Sequence, residues 1–341
     1  QTELAQTELI ANAVRVACRA PSLHNSQPWR WVLDGVTLEL FLDQSRVVLS
    51  DRSGREALIG CGAALDHLKV AAAAAGQCTH VERFPSPDDH DHLASVWFTP
   101  IDHVTQRQRR RADALMSRRS DRLPLAAPAG WESVEPAVRD AIADMAVRLD
   151  VVPDALRAQL ADAAQIAESL RLYDSTYHAE LGWWTTPFAM SEGIPQTSLV
   201  SAAEGDRVDV GRVFPVTGHG ERRPEVPDDR STILVLSTGT DTRADALACG
   251  EALSAVLLEC TMAGLATCPV SHITEVAATR AMLAAVLADN GLADNGFADT
   301  GFADTGLPQI LVRVGTTPAL EEVPPPTPRR PLDDVLVMRR R

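Results

Sequence analysis

Pro21-Ser22-Leu23-His24-Asn25-Ser26-Gln27-Pro28-Trp29 separates two periodicities. Ahead of it, residues 9–18 form an apolar helical run; behind it, residues 31–33 and 37–41 alternate as a short hairpin would, about the turn dipeptide Asp34-Gly35. Pro21 stops the helix, because its ring cannot continue the hydrogen-bond ladder and restrains Ala20 before it. Ser22, Asn25 and Gln27 then offer short polar groups on a loop held by Pro28 and anchored by Trp29. Local chemistry alone favours an ordinary polar turn. A loop pinned between rigid elements is also a usual place for a binding site, and the rest of the chain decides between the two.

The chain's 341 residues can hold two ordinary domains or one large one, and 45% hydrophobic content supports a real core. Aromatics are only 4%, while alanine is abundant, which favours closely packed helices. A formal net charge of −14 speaks against nucleic-acid backbone binding, so an anionic ligand needs a local basic cluster. The 6 cysteines form no Cys-x-x-Cys pair and sit mostly in apolar runs, as buried reduced thiols do. No signal peptide and no membrane-length apolar run is evident, so a soluble cytoplasmic protein is expected.

Residues 58–76 and 244–264 read as helices of small side chains, each ending at a glycine. Cys61-Gly62-Ala63-Ala64-Leu65 recurs as Cys249-Gly250-Glu251-Ala252-Leu253, and the same offset carries Arg55 onto Arg243 and Gly76 onto Gly264. The repeat suggests two related halves, 1–112 and 113–341, with these helices packed together. Strands are expected at 94–98, 231–237 and 309–314, and helices at 132–147 and 155–177. Residues 182–230 lack periodicity but contain Trp183, Trp184 and Phe188, which need burial. A stretch of that length is a functional lid or is disordered, and the aromatics favour the lid. Residues 287–306 are four tandem five-residue units, each closing on a turn glycine; they read as a surface expansion without function, or as a binding element.

Residues 105–122 are strongly basic and end in Arg118-Arg119-Ser120-Asp121-Arg122. In an extended segment, positions 118, 120 and 122 put two guanidinium groups and a hydroxyl on one side, a competent clamp for a phosphate monoester. Arg329, between prolines in the tail, is a candidate further ligand. Taken alone the run equally describes a solvated basic surface. Asp88-Asp89-His90-Asp91-His92 has metal-ligand types but lies in one turn-prone loop, and Gly218-His219-Gly220 is too short for a dinucleotide fingerprint.

Together, the Pro-Ser-x-x-Asn-x-Gln-Pro-Trp loop at 21–29 and Arg-x-Ser-x-Arg at 118–122 resemble the FMN-binding nitroreductase superfamily, in its mycobacterial, Acg-like branch. The resemblance implies an α+β nitroreductase-like fold, with antiparallel or mixed sheets flanked by helices and two halves packed as an intramolecular pseudo-dimer. It implies that Arg118, Ser120 and Arg122, with Arg329, hold the FMN phosphate. Pro21, Ser22, Leu23 and Asn25 would lie against the flavin ring. Ser271 and His272, after the 264–270 segment, would present backbone amides near flavin N5. Each half lacks the motif that the other carries, which implies one FMN per chain and a monomer complete in itself. The implied activity is NAD(P)H-dependent reduction of a nitro or quinone acceptor, with no protein acid or base assigned. The alternative is an FMN-storing protein whose flavin lies under the 182–230 lid. No nucleic-acid or membrane partner is expected.

Overall fold

Two twenty-residue helices, Arg55–Ala74 and Arg243–Met262, cross at the centre of the protein, because glycine lets them meet. A Cβ on Gly62 would stand 2.0 Å from the Leu247 carbonyl oxygen, and one on Gly250 2.0 Å from that of Ile59. These are the paired glycines of the repeated Cys-Gly sequence. A buried polar chain bridges the helices: Ser254 Oγ lies 2.8 Å from His67 Nδ1 and donates to Asp66 Oδ2 at 2.6 Å. Gly76 and Gly264, just beyond the two ends, take φ of 81° and 77°, the left-handed conformation that closes a helix on glycine.

The computed structural model describes residues 2–187, 191–292 and 306–339. In chain order come α1 (Thr2–Ala17), β1 (Trp29–Asp34), β2 (Thr37–Leu42), α2 (Arg55–Ala74), β3 (Gln77–Arg83), β4 (His92–Pro100), α3 (Gln106–Ser117), α4 (Trp131–Ala141), β5 (Arg148–Val152), α5 (Arg157–Arg171), α6 (Ser175–Trp184) and α7 (Ala202–Asp206). There follow β6 (Thr232–Thr238), α8 (Arg243–Met262), β7 (Ala266–Val270), α9 (His272–Glu275), α10 (Ala277–Asp289), β8 (Leu307–Gly315), α11 (Leu332–Val335) and β9 (Leu336–Arg339). One sheet runs β3-β4-β2-β1-β9, antiparallel except for the parallel β1–β9 edge; the other runs β5-β6-β8-β7, wholly antiparallel. The fold is α+β. The main core joins α2, α8 and the inner faces of both sheets, and a smaller one lies between the second sheet and α5 and α10.

Several elements depart from the sequence expectation. The helix ahead of the loop is longer than the apolar run at 9–18: α1 begins at Thr2. The run 155–177 is two helices, because Asp174 caps a new start by accepting from the Tyr177 amide. The basic segment contains α3, started by a Thr105–Gln108 capping box. Strands β3, β5 and β9 and helix α10 were not expected; β9 belongs to the tail yet joins the first sheet. Although no membrane-length run was expected, α2 is long and apolar enough by composition, and 83% of that window is buried inside the protein. Most of the 287–306 repeat lies outside the described residues.

Candidate functional site

The 21–29 loop is held in an uncommon backbone shape. His24, Asn25 and Gln27 have φ of 54°, 56° and 52°, a region costing about 1–2 kcal/mol per non-glycine residue. Such strain persists only where surroundings over-determine it, and here they do. Ser22 Oγ accepts from the Gln27 amide at 2.9 Å. Asn25 Nδ2 donates to the carbonyls of Gly193 and Pro328, both at 3.0 Å. Gln27 Nε2 donates to the Ser191 carbonyl at 2.9 Å, and its Oε1 accepts from the Arg330 amide at 2.8 Å. Trp29 is fully buried. The loop thus joins the 182–230 insertion to the tail.

Beside it five guanidinium groups converge. Arg19, Arg118, Arg119, Arg122 and Arg329 line a 40 Å³ cavity with Ser22, Asn25 and Ser120, and no carboxylate lines it among the described residues. Arg329 donates from Nε to the Cys18 carbonyl at 2.9 Å and from Nη2 to that of Arg19 at 3.0 Å, so the negative end of α1 orients it. Arg118 is 4% exposed and gives one bond, Nη2 to the Arg19 carbonyl at 2.9 Å. Its Nε and Nη1 have no partner among the described residues. Burial, then Arg19 and Arg119, push Arg118 down to about 9. Burial, then Arg19 and Arg118, hold Arg329 well below the usual arginine range. A buried cation with idle donors, ringed by half-buried cations that repel it, suits a compact anion. Asp121 turns away into a paired contact with Arg223 (2.9 and 2.6 Å), leaving Arg118, Ser120 and Arg122 on the inner side. The sequence reading did not include Arg19 or Arg119; only the end of α1 places Arg19 there.

Arg122, Ser120 and Ser22 also border a larger cavity of 310 Å³. Pro21–His24, Glu56, Ile59 and Gly60 form one side, residues 268–272 the floor, and residues from Ile194 to Val216 the other wall. Gly60 lets the loop approach, since a Cβ there would lie 3.3 Å from Ser22 Cβ. Phe214 lies edge-on to His24 (6.4 Å between ring centres) and under the Arg122 guanidinium at 5.3 Å. Of the insertion's aromatics, Trp184 is buried as expected, but Trp183, which it packs against, is 57% exposed, and neither lines the cavity. Phe188 lies outside the described residues.

The floor is electrostatically built. Glu275 pairs with Arg212 and with Arg171 Nη1 (2.7 Å), and accepts from Ser271 Oγ at 2.7 Å. Despite burial, those arginines hold its carboxyl well below the usual range. Arg212 also donates to the Tyr177 hydroxyl at 2.8 Å. Burial, then Arg212, lowers both His24 and His272 to about 3, so both are neutral at ordinary pH. Ser271 and His272 border the larger cavity, as does Leu23, whereas Asn25 and Arg329 border only the smaller one. Among the described residues no group of three or more His, Cys, Asp or Glu could hold a metal ion; in the 88–92 loop His92 instead lies 2.6 Å from Glu39 and 2.8 Å from Ser86 Oγ.

No family model matches the chain. Relatives from Mycobacterium tuberculosis (strain ATCC 25618 / H37Rv) match nearly all of it. "Putative NAD(P)H nitroreductase acg" is 55% identical over 334 residues, 98% of this chain and 96% of its own. An uncharacterized protein is 51% identical over 336 residues, covering 97% and 93%. Among solved structures, a nitroreductase with bound FMN from Bacteroides fragilis NCTC 9343 covers 64% of this chain and 93% of its own, at 15% identity and a TM-score of 0.37; at that score the likeness carries no weight. By its sequence relatives, the chain belongs to the nitroreductase superfamily, in the branch of the mycobacterial acg protein.

Proposed function

We propose that this protein binds one FMN per chain and uses it as an NAD(P)H-dependent oxidoreductase on small nitro or quinone acceptors. The observation that carries the proposal is the arginine cluster, with Arg118 buried and the other four half-buried, short of counter-charge and opening beside the larger cavity. Arg118, Arg329, Ser120 and Arg122 would hold the phosphate, with Arg19 added to them. Pro21, Ser22, Leu23 and Asn25 would hold the flavin, with Ser271 and His272 facing it from the floor. The residues fit the cofactor: the idle Arg118 donors suit a phosphate, and the adjoining cavity sets apolar walls beside serine, histidine and arginine side chains that a flavin's polar edge can meet. FMN, when bound, supplies two-electron transfer between a nicotinamide and an acceptor. The chain's part is to bind it, to exclude water with the Ile194–Val216 wall, and to keep neutral imidazoles at His24 and His272 near the reacting groups.

One site per chain goes with a fused pseudo-dimer of 1–112 and 113–341. The matched Gly62–Gly250 crossing supports it, as does the placing of the loop and the arginine motif in different halves. A monomer without nucleic-acid partners suits a net charge of −14, and five buried free thiols suit a reducing, cytoplasmic setting. The second reading, flavin sequestration, draws on one observation: the insertion walls the cavity that an acceptor would enter. Anaerobic addition of NADH or NADPH to FMN-loaded protein separates the two. Bleaching of the flavin absorbance, reversed by a nitroaromatic, is expected. Absence of bleaching with either nicotinamide, while dithionite still reduces the flavin, would contradict the oxidoreductase and leave sequestration.

A further inference from the structure

Glu56 is a buried carboxylic side chain on the wall of the larger cavity that neither the fold nor the proposed cofactor contacts account for. It stands in the first turn of α2, where an acidic residue ordinarily serves the helix end. That task is taken by Asp51, whose carboxylate accepts from the Glu56 amide at 3.2 Å and the Ala57 amide at 2.9 Å. Glu56 is 4% exposed. Its Oε1 lies 2.9 Å from Arg55 Nη2 but without hydrogen-bond geometry, and it has no other partner among the described residues. Arg55 is committed elsewhere: Nη1 to the Gln309 carbonyl at 2.9 Å and Nη2 to that of Thr274 at 2.5 Å.

We propose that Glu56 is the proton donor of this cavity, delivering to a quinone acceptor the proton that must accompany the hydride equivalent. The proposal rests on the oxidoreductase reading and adds a residue to it. The balance is simple. A quinone that gains a hydride equivalent, supplied ultimately by NAD(P)H, is left with an anionic oxygen. The Glu56 O–H bond breaks, a new O–H bond forms on that oxygen, and the electron pair stays on the carboxylate beside Arg55. Water restores the proton through the cavity. Both forms of Glu56 are supported: burial favours the acid, Arg55 the carboxylate.

The charged and titratable groups around Glu56 come from every side: Arg55 and Asp51 at its own helix end, Glu275 on α9, Arg212 in the insertion, Cys249 on α8. His24 shares the cavity wall. Burial, opposed by Arg55 and reinforced by Glu275 and Asp51, raises the Glu56 carboxyl to about 8. The acid therefore predominates at neutral pH, as a donor requires.

Infrared pH titration of the FMN-loaded chain and its Glu56→Gln variant tests this. A protonated-carboxyl band that titrates near pH 8 and is absent from Glu56→Gln is expected; no difference between the two proteins at pH 6 would overturn the proposal. Reoxidation of the dithionite-reduced protein by a benzoquinone should slow in the variant by about a hundredfold, at equal FMN content. The wild-type rate should fall above the midpoint of the band, and the variant's rate should be level. Equal rates with equal pH profiles would also overturn it. Arg55→Gln, a second variant, should move the band's midpoint upward; an unmoved midpoint counts against the assignment. The titration is repeated on the flavin-free chain, so a chain that takes up no FMN fails the cofactor reading alone while the carboxyl band is still read.

Discussion

In the proposed site, Arg118 would trade stability for binding. It is buried against other cations with two nitrogens idle, a repulsion that a bound phosphate would relieve. Arg118→Met should raise the melting temperature of the flavin-free protein, by about 1–2 kcal/mol in stability, and weaken FMN binding by about a hundredfold; calorimetry reads both, and a fall in stability without loss of affinity would contradict the assignment. The buried histidines set a pH dependence. His24 and His272 sit near 3 when folded against an ordinary value of 6.5, so the unfolded chain binds more protons between those limits. Their contribution is full above pH 6.5 and falls by about 1.4 kcal/mol per pH unit for each as pH drops toward 3. Glu56 works oppositely: its folded value near 8 exceeds the ordinary 4.5, so stability falls as pH rises between them. Thermal melts should lose stability below pH 6.5, and Glu56→Gln should reduce the decline between pH 6.5 and about 8. At this scale the sequence was half legible. Arg118, Ser120, Arg122 and Arg329 stood in recognisable motifs. Arg19 depended on where α1 ends, Phe214 was one aromatic in an aperiodic stretch, and the left-handed φ of His24 has no glycine to announce it.

Among the elements, α2 and α8 were the most legible, because small residues at close spacing and a terminal glycine are strong signals. Their crossing leaves no room for a side chain. Gly62→Ala places a Cβ 2.0 Å from the Leu247 carbonyl oxygen, and a backbone atom cannot swing aside. A loss of about 3 kcal/mol or more is expected in denaturant unfolding, with FMN uptake falling as well, since Gly60 and Glu56 on the same helix wall the cavity. Gly60→Ala, at 3.3 Å from a side-chain carbon, should cost less. Equal stability of Gly62→Ala and the parent would contradict the crossing. The elements that escaped the sequence were short or at sheet edges. Strand β3 is largely solvent-facing, β5 has only five residues, and β9 lies in a charged tail. Such strands take their conformation from their neighbours more than from their own pattern.

Over the whole molecule, two sheets share one helix pair, and the 21–29 loop meets the arginine segment at 118–122 at a single place. The repeated Cys-Gly helices were visible in the sequence; the convergence of loop, insertion and tail was not, because it depends on contacts more than a hundred residues apart, such as Asn25 to Gly193 and to Pro328. One composite site per chain is the consequence that separates this arrangement from a dimer with two sites. FMN titration of the flavin-free protein, followed by calorimetry with the chain's mass in solution measured alongside, tests it most directly. One FMN per monomeric chain is expected, with binding abolished in the double variant Arg118→Ala, Arg122→Ala. Two FMN per chain, one per pair of chains, or full retention by the double variant would contradict it.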